Sequence, residues 1–321
     1  MPRLRDPFEV RSEVPVDGGT IHVALAGRPP HEADAVVLGV HGLTSSLMIW
    51  RTVARETSRR TRLSFLAFDL RGRGRSAAHP GPFGFDADVA DVLAVLDRFG
   101  VRRAVVAGHS MGAYIAAYLA ALHPERVGSV VLADSGLPLR GVPRNAHAEA
   151  TERAFGIAIG RLRMTYESED DYVARWRSHP AFEPAYQPGY ATIWNEDVEA
   201  YARYDVTGEP GAYRSAVCER AVLRDGEEML LDVSKRTALD RVRAPIVLLR
   251  ASRGVNGYDL PLIPRHEVLR FVAAHRRSYV QDVWGVNHYT LVIGPTLGAR
   301  RVVTALERAA RLARTAHALA S

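Results

Sequence analysis

Apolar positions along the chain follow two alternating periods. Short runs rich in Val, Leu, Ile and Ala predict buried β-strands, and between them lie segments whose apolar residues recur every three or four positions, as in amphipathic helices. This alternation is typical of βαβ units that build a mostly parallel sheet. The predicted strands cover residues 35–40, 63–68, 104–107, 127–133, 246–249 and 278–284.

Three helices are predicted from the apolar periodicity and from the residues that end it. The first has its apolar face over residues 89–99 and ends at Gly100, which favours the left-handed backbone of a helix C-terminus. The second begins directly after Ser110 and ends before Pro124, and the third covers residues 295–318. Helices placed in this way between strands predict an α/β fold.

The segment of residues 138–240 lacks the strand pattern and is rich in arginine, acidic and aromatic residues. It predicts a helical insertion between two core strands, with a core of residues 1–137 and 241–321 and a cap, or lid, of residues 138–240. The aromatic side chains favour two interpretations equally. They cover a site at one edge of the sheet, or they form the small core that a helical subdomain needs.

Composition narrows the class of protein. A chain of 321 residues that is 47% hydrophobic buries a large core, and no apolar stretch approaches the roughly 18 residues of a membrane span. The N-terminus has no apolar region typical of a signal peptide, so we expect a cytoplasmic protein without a membrane partner. Cys218 is the only cysteine, which excludes an intrachain disulfide and a zinc ribbon.

The net charge of +6 raises the question of nucleic acid binding. The arginines are scattered along the chain with acidic residues between them, so no nucleic acid partner is expected. Lys235 is the only lysine and alanine is abundant, which indicates a GC-rich, bacterial genome. The expected assembly is a monomer or a homodimer, and no HExxH, P-loop or clustered carboxylate motif supports a metal or nucleotide cofactor.

The motif with the clearest chemistry is Gly108-His109-Ser110-Met111-Gly112, which lies between a predicted strand and a predicted helix. This is the G-x-S-x-G nucleophile elbow in its expected context. The sharp turn leaves no room for side chains two positions before and after the serine, so glycine is required at both. The hydroxyl of Ser110 then lies at a helix N-terminus, where the helix dipole favours developing negative charge.

A serine nucleophile needs a general base within hydrogen-bond reach. Among the twelve histidines, His109 flanks the nucleophile and is expected to point away from its hydroxyl, whereas His288 follows the predicted strand 278–284 and precedes the last helix. A loop at that place carries a side chain over the sheet edge. His288 is therefore the predicted base.

The oxyanion hole is predicted from backbone groups. The strand 35–40 runs into His41-Gly42-Leu43, which turns the N–H of Leu43 towards the nucleophile, and the N–H of Met111 supplies a second donor. Such a donor stabilises the transition state by about 3 kcal/mol.

A dinucleotide-binding motif is the main rival interpretation, since Gly72, Gly74 and Ala77 fit G-x-G-x-x-A after a strand. The residues that follow, Ala-His-Pro-Gly-Pro, cannot open the helix that would hold a pyrophosphate. We therefore interpret residues 69–77 as a structural turn in which Asp69 binds backbone N–H groups.

Four motifs in order, HGLTSS, DLRGRGRS, GHSMGA and NHYTL, resemble the α/β-hydrolase superfamily in its capped esterase and lactonase-like branch. The resemblance spans about residues 36–137 and 241–321. It implies a mostly parallel sheet of about eight strands flanked by helices, a catalytic triad in the order serine, acid, histidine, and a helical cap inserted between two core strands.

The triad acid is the ambiguous member. The resemblance implies an acid a few residues after the strand 246–249, but Gly254 stands there, and Asp259 follows five residues later. Asp134, at the end of the strand 127–133, is the other candidate. We favour Asp134 over Asp259, although an aspartate at a strand end also serves to bind a turn.

The predicted function is that of a carboxylic ester hydrolase acting on a small-molecule ester or lactone through an acyl-enzyme, with Ser110, His288 and Asp134 as triad and Leu43 and Met111 as oxyanion donors. Thioesters and carbon–carbon bonds beside a ketone use the same residues, so they remain alternatives. A non-hydrolytic ligand-binding, lyase or perhydrolase role is the alternative from another class. Relatives with an aspartate nucleophile, such as epoxide hydrolases, are disfavoured by the serine.

Overall fold

The computed structural model describes residues 5–140, 149–183, 193–255 and 260–318. Its centre is an eight-stranded sheet, whose strands are β1 Val10–Val16, β2 Gly19–Gly27, β3 Val36–Val40, β4 Ser64–Phe68, β5 Ala104–His109, β6 Val127–Ala133, β9 Ile246–Ala251 and β10 Ser278–Val283. Their order is β1-β2-β4-β3-β5-β6-β9-β10, in which all pairs from β4 to β10 are parallel and β2 is antiparallel to both of its neighbours. The predicted fold class is confirmed.

Helices cover both faces of the sheet. They are α1 Arg51–Arg60, α2 Phe85–Arg98, α3 Met111–Leu122, α9 Arg265–Ala274 and α10 Thr296–Ala318. Alternate strand residues point to opposite faces, so Val37 and Val105 pack in one core with α1 and α10, while Leu38 and Val106 pack in the other core with α2 and α3. No helix in the described ranges is long and apolar enough to cross a bilayer.

The six predicted strands and three predicted helices are all present with small shifts at their ends. The hairpin of β1 and β2 was not predicted, although a two-residue loop of Asp17 and Gly18 between two runs with β-branched residues is a recognised hairpin signal. Helices α1 and α9 were not predicted either, because they are short and rich in charged residues.

Residues 138–240, here called the insertion, lie between β6 and β9. The described residues of the insertion are mainly helical, and they also contain a two-stranded antiparallel ladder that was not predicted. The elements of the insertion are α4 Glu149–Leu162, α5 Glu169–Arg177, α6 Glu196–Asp205, β7 Val206–Thr207, β8 Arg214–Ser215, α7 Glu219–Leu231 and α8 Val233–Arg236.

The aromatic side chains of the insertion pack on one another and also on the core. The Trp176 ring lies 5.3 Å from the ring of Tyr201 and 6.2 Å from that of Phe182, and all three are buried. Phe182 in turn lies 5.5 Å from the ring of Tyr289, the residue after His288. The two interpretations of these aromatics therefore do not exclude each other, since one cluster forms a subdomain core and reaches the loop of the predicted base.

Candidate active site

Ser110 occupies a strained turn between β5 and α3. Its backbone has φ 57° and ψ −127°, a conformation with positive φ that is rare for residues other than glycine. A Cβ at Gly108 would lie 2.2 Å from the carbonyl oxygen of Gly112, and one at Gly112 would lie 2.2 Å from that of Val40. Both glycines are thus required by direct backbone contact, as the elbow motif predicts.

Asp134 and His288 are joined directly. The carboxylate Oδ2 of Asp134 lies 2.9 Å from Nδ1 of His288, and its Oδ1 accepts a hydrogen bond of 2.8 Å from the N–H of Ala251. Asp134 follows β6 with φ 55°, and its own N–H donates to the carbonyl of Leu249. The other candidate acid, Asp259, lies outside the described residues.

Burial sets the electrostatics of this pair. Asp134 is fully buried, and burial raises the pKa of its carboxyl group. The hydrogen bond from His288 and the nearby positive charge that an imidazolium would bring act in the opposite direction and lower that pKa. The carboxylate is therefore a strong acceptor whose charge has few partners other than the His288 ring and the Ala251 N–H.

Asn287 holds the loop that carries His288. Its buried side-chain oxygen accepts hydrogen bonds from the N–H groups of Tyr289 and Thr290, at 2.9 and 2.8 Å, and its amide nitrogen donates to the carbonyl of Ala181 in the insertion at 2.8 Å. Asn287, the residue just before His288, thus ties its loop to the insertion. In the sequence this asparagine belongs to the NHYTL motif, from which no role for it was predicted.

His109 packs on the other side of His288. The two imidazole rings have centroids 4.4 Å apart and planes inclined by 33°, and Nε2 of His109 donates to the backbone carbonyl of His288 at 2.9 Å. Burial holds the pKa of His109 well below its ordinary value, so this ring is neutral with its proton on Nε2. His109, the residue before Ser110, therefore orients the loop of His288, a role that was not predicted.

The N–H of Ser110 donates to the carbonyl of Ala133, the residue before Asp134, at 3.4 Å. No hydrogen bond joins the Ser110 hydroxyl to the His288 ring among the described residues. The Nδ1 atom of His288 is engaged by Asp134, so Nε2 is the nitrogen left to accept a proton. Hydrogen bonds between nucleophile and base are often long in enzymes without substrate and shorten when substrate binds.

The loop after β3 passes directly over Ser110. A Cβ at Gly42 would lie 2.9 Å from Cβ and 3.3 Å from Oγ of Ser110, so only a bare backbone fits there. The N–H of Leu43, the next residue, has no hydrogen-bond acceptor among the described residues. Met111 is the first residue of α3, where an N–H has no intrahelical acceptor.

His41 fixes the peptide that carries the Leu43 N–H. Its Nδ1 lies 2.8 Å from the carbonyl of Gly42, and its Nε2 accepts a hydrogen bond of 3.0 Å from the N–H of Leu70. Nδ1 is therefore the protonated nitrogen. Burial lowers the pKa of His41 to about 3, so the ring stays neutral and keeps this tautomer at neutral pH.

Because His41 is buried in its neutral form, we expect the free energy of unfolding to fall in acid. In the unfolded chain His41 takes up a proton below its ordinary pKa of 6.5, while the folded protein takes it up only near 3, so stability falls as the pH decreases between these values. His41 therefore lowers the free energy of unfolding by about 1.4 kcal/mol for each pH unit between about pH 5.5 and 4. We expect this pH dependence to be absent in His41→Gln, which keeps a donor and an acceptor. Urea denaturation at a series of pH values measures it. Equal slopes in both proteins would contradict the assignment of His41 as a neutral buried ring.

Residues 69–77 form the turn that the sequence predicts. The buried carboxylate of Asp69 accepts hydrogen bonds from the N–H groups of Leu47 and Arg75 and from the hydroxyl of Tyr204. Only a single 3₁₀ turn, Gly74–Ser76, lies here and the next α-helix begins at Phe85, so no α-helix N-terminus follows Gly72 and Gly74 to hold a pyrophosphate.

Comparisons with known proteins agree with this fold. A family model described as alpha/beta hydrolase fold matches residues 34–177. Lipase LipV of Mycobacterium tuberculosis is 38% identical over 107 residues, which are 33% of this chain and 40% of the lipase. Epoxide hydrolase B of the same species is 30% identical over 254 residues, 76% of this chain and 65% of that protein. The chain thus spans less than two thirds of the length of both relatives.

The fold is shared with solved structures as well. The crystal structure of E-2-(acetamidomethylene)succinate hydrolase matches 93% of this chain and 99% of its own, with a TM-score of 0.72 at 18% identity. The chain therefore has the α/β-hydrolase fold, and its sequence is similar to those of proteins with this fold.

Proposed function

We propose that this protein is a serine hydrolase that cleaves a carboxylic ester or lactone through an acyl-enzyme intermediate, with Ser110, His288 and Asp134 as its triad. The observation that carries the proposal is the 2.9 Å contact between Asp134 and Nδ1 of His288, on loops adjacent to the elbow of Ser110. An acid that holds the Nδ1 proton leaves Nε2 as the base, which is the arrangement that activates a serine hydroxyl.

The mechanism assigns a separate task to each group. His288 Nε2 accepts the proton as Ser110 attacks the carbonyl carbon, and Asp134 stabilises the imidazolium that forms. The N–H groups of Leu43 and Met111 stabilise the oxyanion. His288 then protonates the leaving alcohol, and a water activated by the same ring hydrolyses the acyl-enzyme. In this scheme the insertion acts as a cap over the site.

Epoxide hydrolysis is the second candidate, because epoxide hydrolase B matches 76% of the chain. The nucleophile argues against it on chemical grounds. Ring opening by the Ser110 hydroxyl would leave an ether on the enzyme, and an ether has no carbonyl at which water can attack. An aspartate nucleophile forms an ester instead, which water can cleave. We therefore favour acyl transfer, which also agrees with the similarity to Lipase LipV.

Labelling with a fluorophosphonate probe tests the proposal. We expect the wild-type protein to be labelled and Ser110→Ala to remain unlabelled, because an activated serine displaces fluoride from the probe and becomes phosphonylated. Ser58→Ala is the matched control, since this α1 serine donates to the carbonyl of Ala54 within its own helix and its loss leaves labelling unchanged. An unlabelled wild-type protein, or equal labelling of Ser110→Ala, would refute the serine mechanism.

A panel of substrates then shows which reaction the protein catalyses. The panel contains p-nitrophenyl acetate and butyrate, a small lactone, a thioester and styrene oxide. Release of p-nitrophenol and lactone opening, with no diol from styrene oxide, is the expected pattern. Diol formation that survives in Ser110→Ala would instead support epoxide chemistry.

A further inference from the structure

The loop that carries the proposed oxyanion donor is held at three successive peptide groups. The peptide joining Gly42 to Leu43, which bears the donor N–H, is bound by His41. Nε of Arg73 donates to the carbonyl of Leu43 at 3.1 Å, and Nη2 of Arg161 donates to the carbonyl of Thr44 at 3.2 Å. Each of these peptides therefore has its own side-chain donor.

Two of these contacts depend on the insertion. Arg161 belongs to α4 of the insertion, and the fully buried guanidinium of Arg73 forms an ion pair with Asp225 of α7. A third contact joins the hydroxyl of Tyr201 in α6 to Oγ of Ser45 at 3.2 Å. Two helices of the insertion thus contact residues 44 and 45 directly, and a third pairs with Arg73, which binds Leu43.

Arg161 is itself fixed in one orientation. Its Nη1 donates to the hydroxyl of Tyr172 at 2.9 Å and to the carboxylate of Asp205 at 3.1 Å, and its guanidinium lies 4.9 Å above the Trp176 ring. This packing leaves Nη2 directed at the Thr44 carbonyl. A planar guanidinium serves these partners at once, whereas the single amine of lysine cannot.

We propose that the insertion holds the oxyanion hole in its productive geometry, with Arg161 and Tyr201 as positioning residues for the Leu43 N–H. The inference rests on the proposed function, because it needs an oxyanion at Ser110. An oxyanion donor must lie about 2.7–3.1 Å from a charge that exists only in the transition state. Loosening the loop therefore lowers kcat and leaves substrate binding nearly unchanged.

Arg161→Lys tests this inference with p-nitrophenyl butyrate as substrate. The lysine keeps a positive charge beside Asp205 but gives up the bond to Thr44. We expect kcat to fall by about tenfold, less than the roughly 100-fold or more that complete loss of a donor causes, while KM changes by less than about threefold. The matched control is Arg163→Lys, two residues along the chain, where the exposed arginine pairs with Glu219. It should retain wild-type kinetics.

The inhibition constant of phenylboronic acid is a second measurement, which would not change if Arg161 had only a structural role. Phenylboronic acid forms a tetrahedral anionic adduct with an active serine, so its inhibition constant should rise in parallel with the fall in kcat. Tyr201→Phe, which removes only a hydroxyl, should shift both quantities in the same direction by about threefold, and it decides the matter if Arg161→Lys does not fold.

The outcomes separate the two proposals. A wild-type protein that neither reacts with fluorophosphonate nor turns over the ester refutes the proposed function. An active wild type in which Arg161→Lys or Tyr201→Phe raises KM alone, or behaves like Arg163→Lys, overturns the role of the insertion in the oxyanion hole and leaves the serine mechanism intact.

Discussion

Replacing Asp134 by asparagine is expected to lower kcat by about 10⁴-fold while the protein remains folded. The structure gives a specific reason. The N–H of Ala251 requires an acceptor, and the amide oxygen of the new asparagine supplies it at the position of Oδ1. The amide NH₂ then faces Nδ1 of His288, which must become the acceptor, so the ring proton moves to Nε2. A protonated Nε2 cannot take the proton of Ser110.

Stability should respond differently from activity. Because burial raises the pKa of Asp134, the ionised carboxylate is disfavoured at this site, and a neutral amide of the same shape removes that cost. We therefore expect the thermal midpoint of Asp134→Asn to equal or exceed that of the wild type. Loss of activity without loss of stability separates a catalytic role from a turn-binding one.

The matched control for this prediction is Asp259→Asn, measured on the same p-nitrophenyl ester. Full activity in that variant, beside the loss at Asp134, is the expected result. A loss of orders of magnitude at Asp259 alone would reverse the assignment of the acid. A large fall in the thermal midpoint of Asp134→Asn with kcat retained would reduce Asp134 to a turn residue.

Local patterns predicted the parts of the site that lie close together in sequence. Gly108, Ser110 and Gly112 belong to one strand, turn and helix, and each constraint acts within a few residues, so the elbow was readable without knowledge of the fold. The strand before it and the helix after it were predicted for the same reason, because burial on two faces gives an apolar run and burial on one face gives a helical period.

The choice of the acid depended on the order of strands in space. Asp134 meets His288 because β6 lies beside β9, and β9 beside β10, so the three strand ends meet at one edge of the sheet. Nothing in the sequence near residue 134 or 288 encodes that order, and both candidate acids remained open. The resemblance to a family implied an acid after β9. Among the described residues, however, it is Asp134 that forms a hydrogen bond with the His288 ring.

The sequence did not predict the contacts around the proposed oxyanion hole, because they too depend on which distant segments meet in space. Arg161 is 117 positions from Thr44, and His109 is 179 positions from the carbonyl of His288 that it binds. Arginine is frequent throughout the chain, so composition did not distinguish Arg161 from the exposed arginines. Only the packing of α4 against the loop after β3 does so.

The largest expected effect on folding follows from the elbow itself. Gly112→Ala places a methyl carbon 2.2 Å from the Val40 carbonyl oxygen and 2.6 Å from that of His41. Both atoms belong to the backbone, which cannot rotate away as a side chain would, so β3 and α3 must separate. We expect the free energy of unfolding to fall by at least about 3 kcal/mol, the upper end of the usual cost of overpacking. Activity should be lost with it, because the moved residues lead into the oxyanion loop.

Gly156→Ala is the matched control, since it makes the same substitution where space is open. Gly156 is an exposed residue within α4, a Cβ there would meet no atom within 4 Å, and its φ is not left-handed. Alanine should raise the free energy of unfolding by about 0.5–1 kcal/mol, because glycine within a helix loses more backbone entropy on folding. Urea denaturation of the two variants and the wild type is therefore expected to give shifts of opposite sign. A Gly112→Ala protein with the wild-type midpoint and activity would mean that β3 and α3 do not approach as closely as the elbow requires, and the assignment of Ser110 as a nucleophile held by that turn would fail with it.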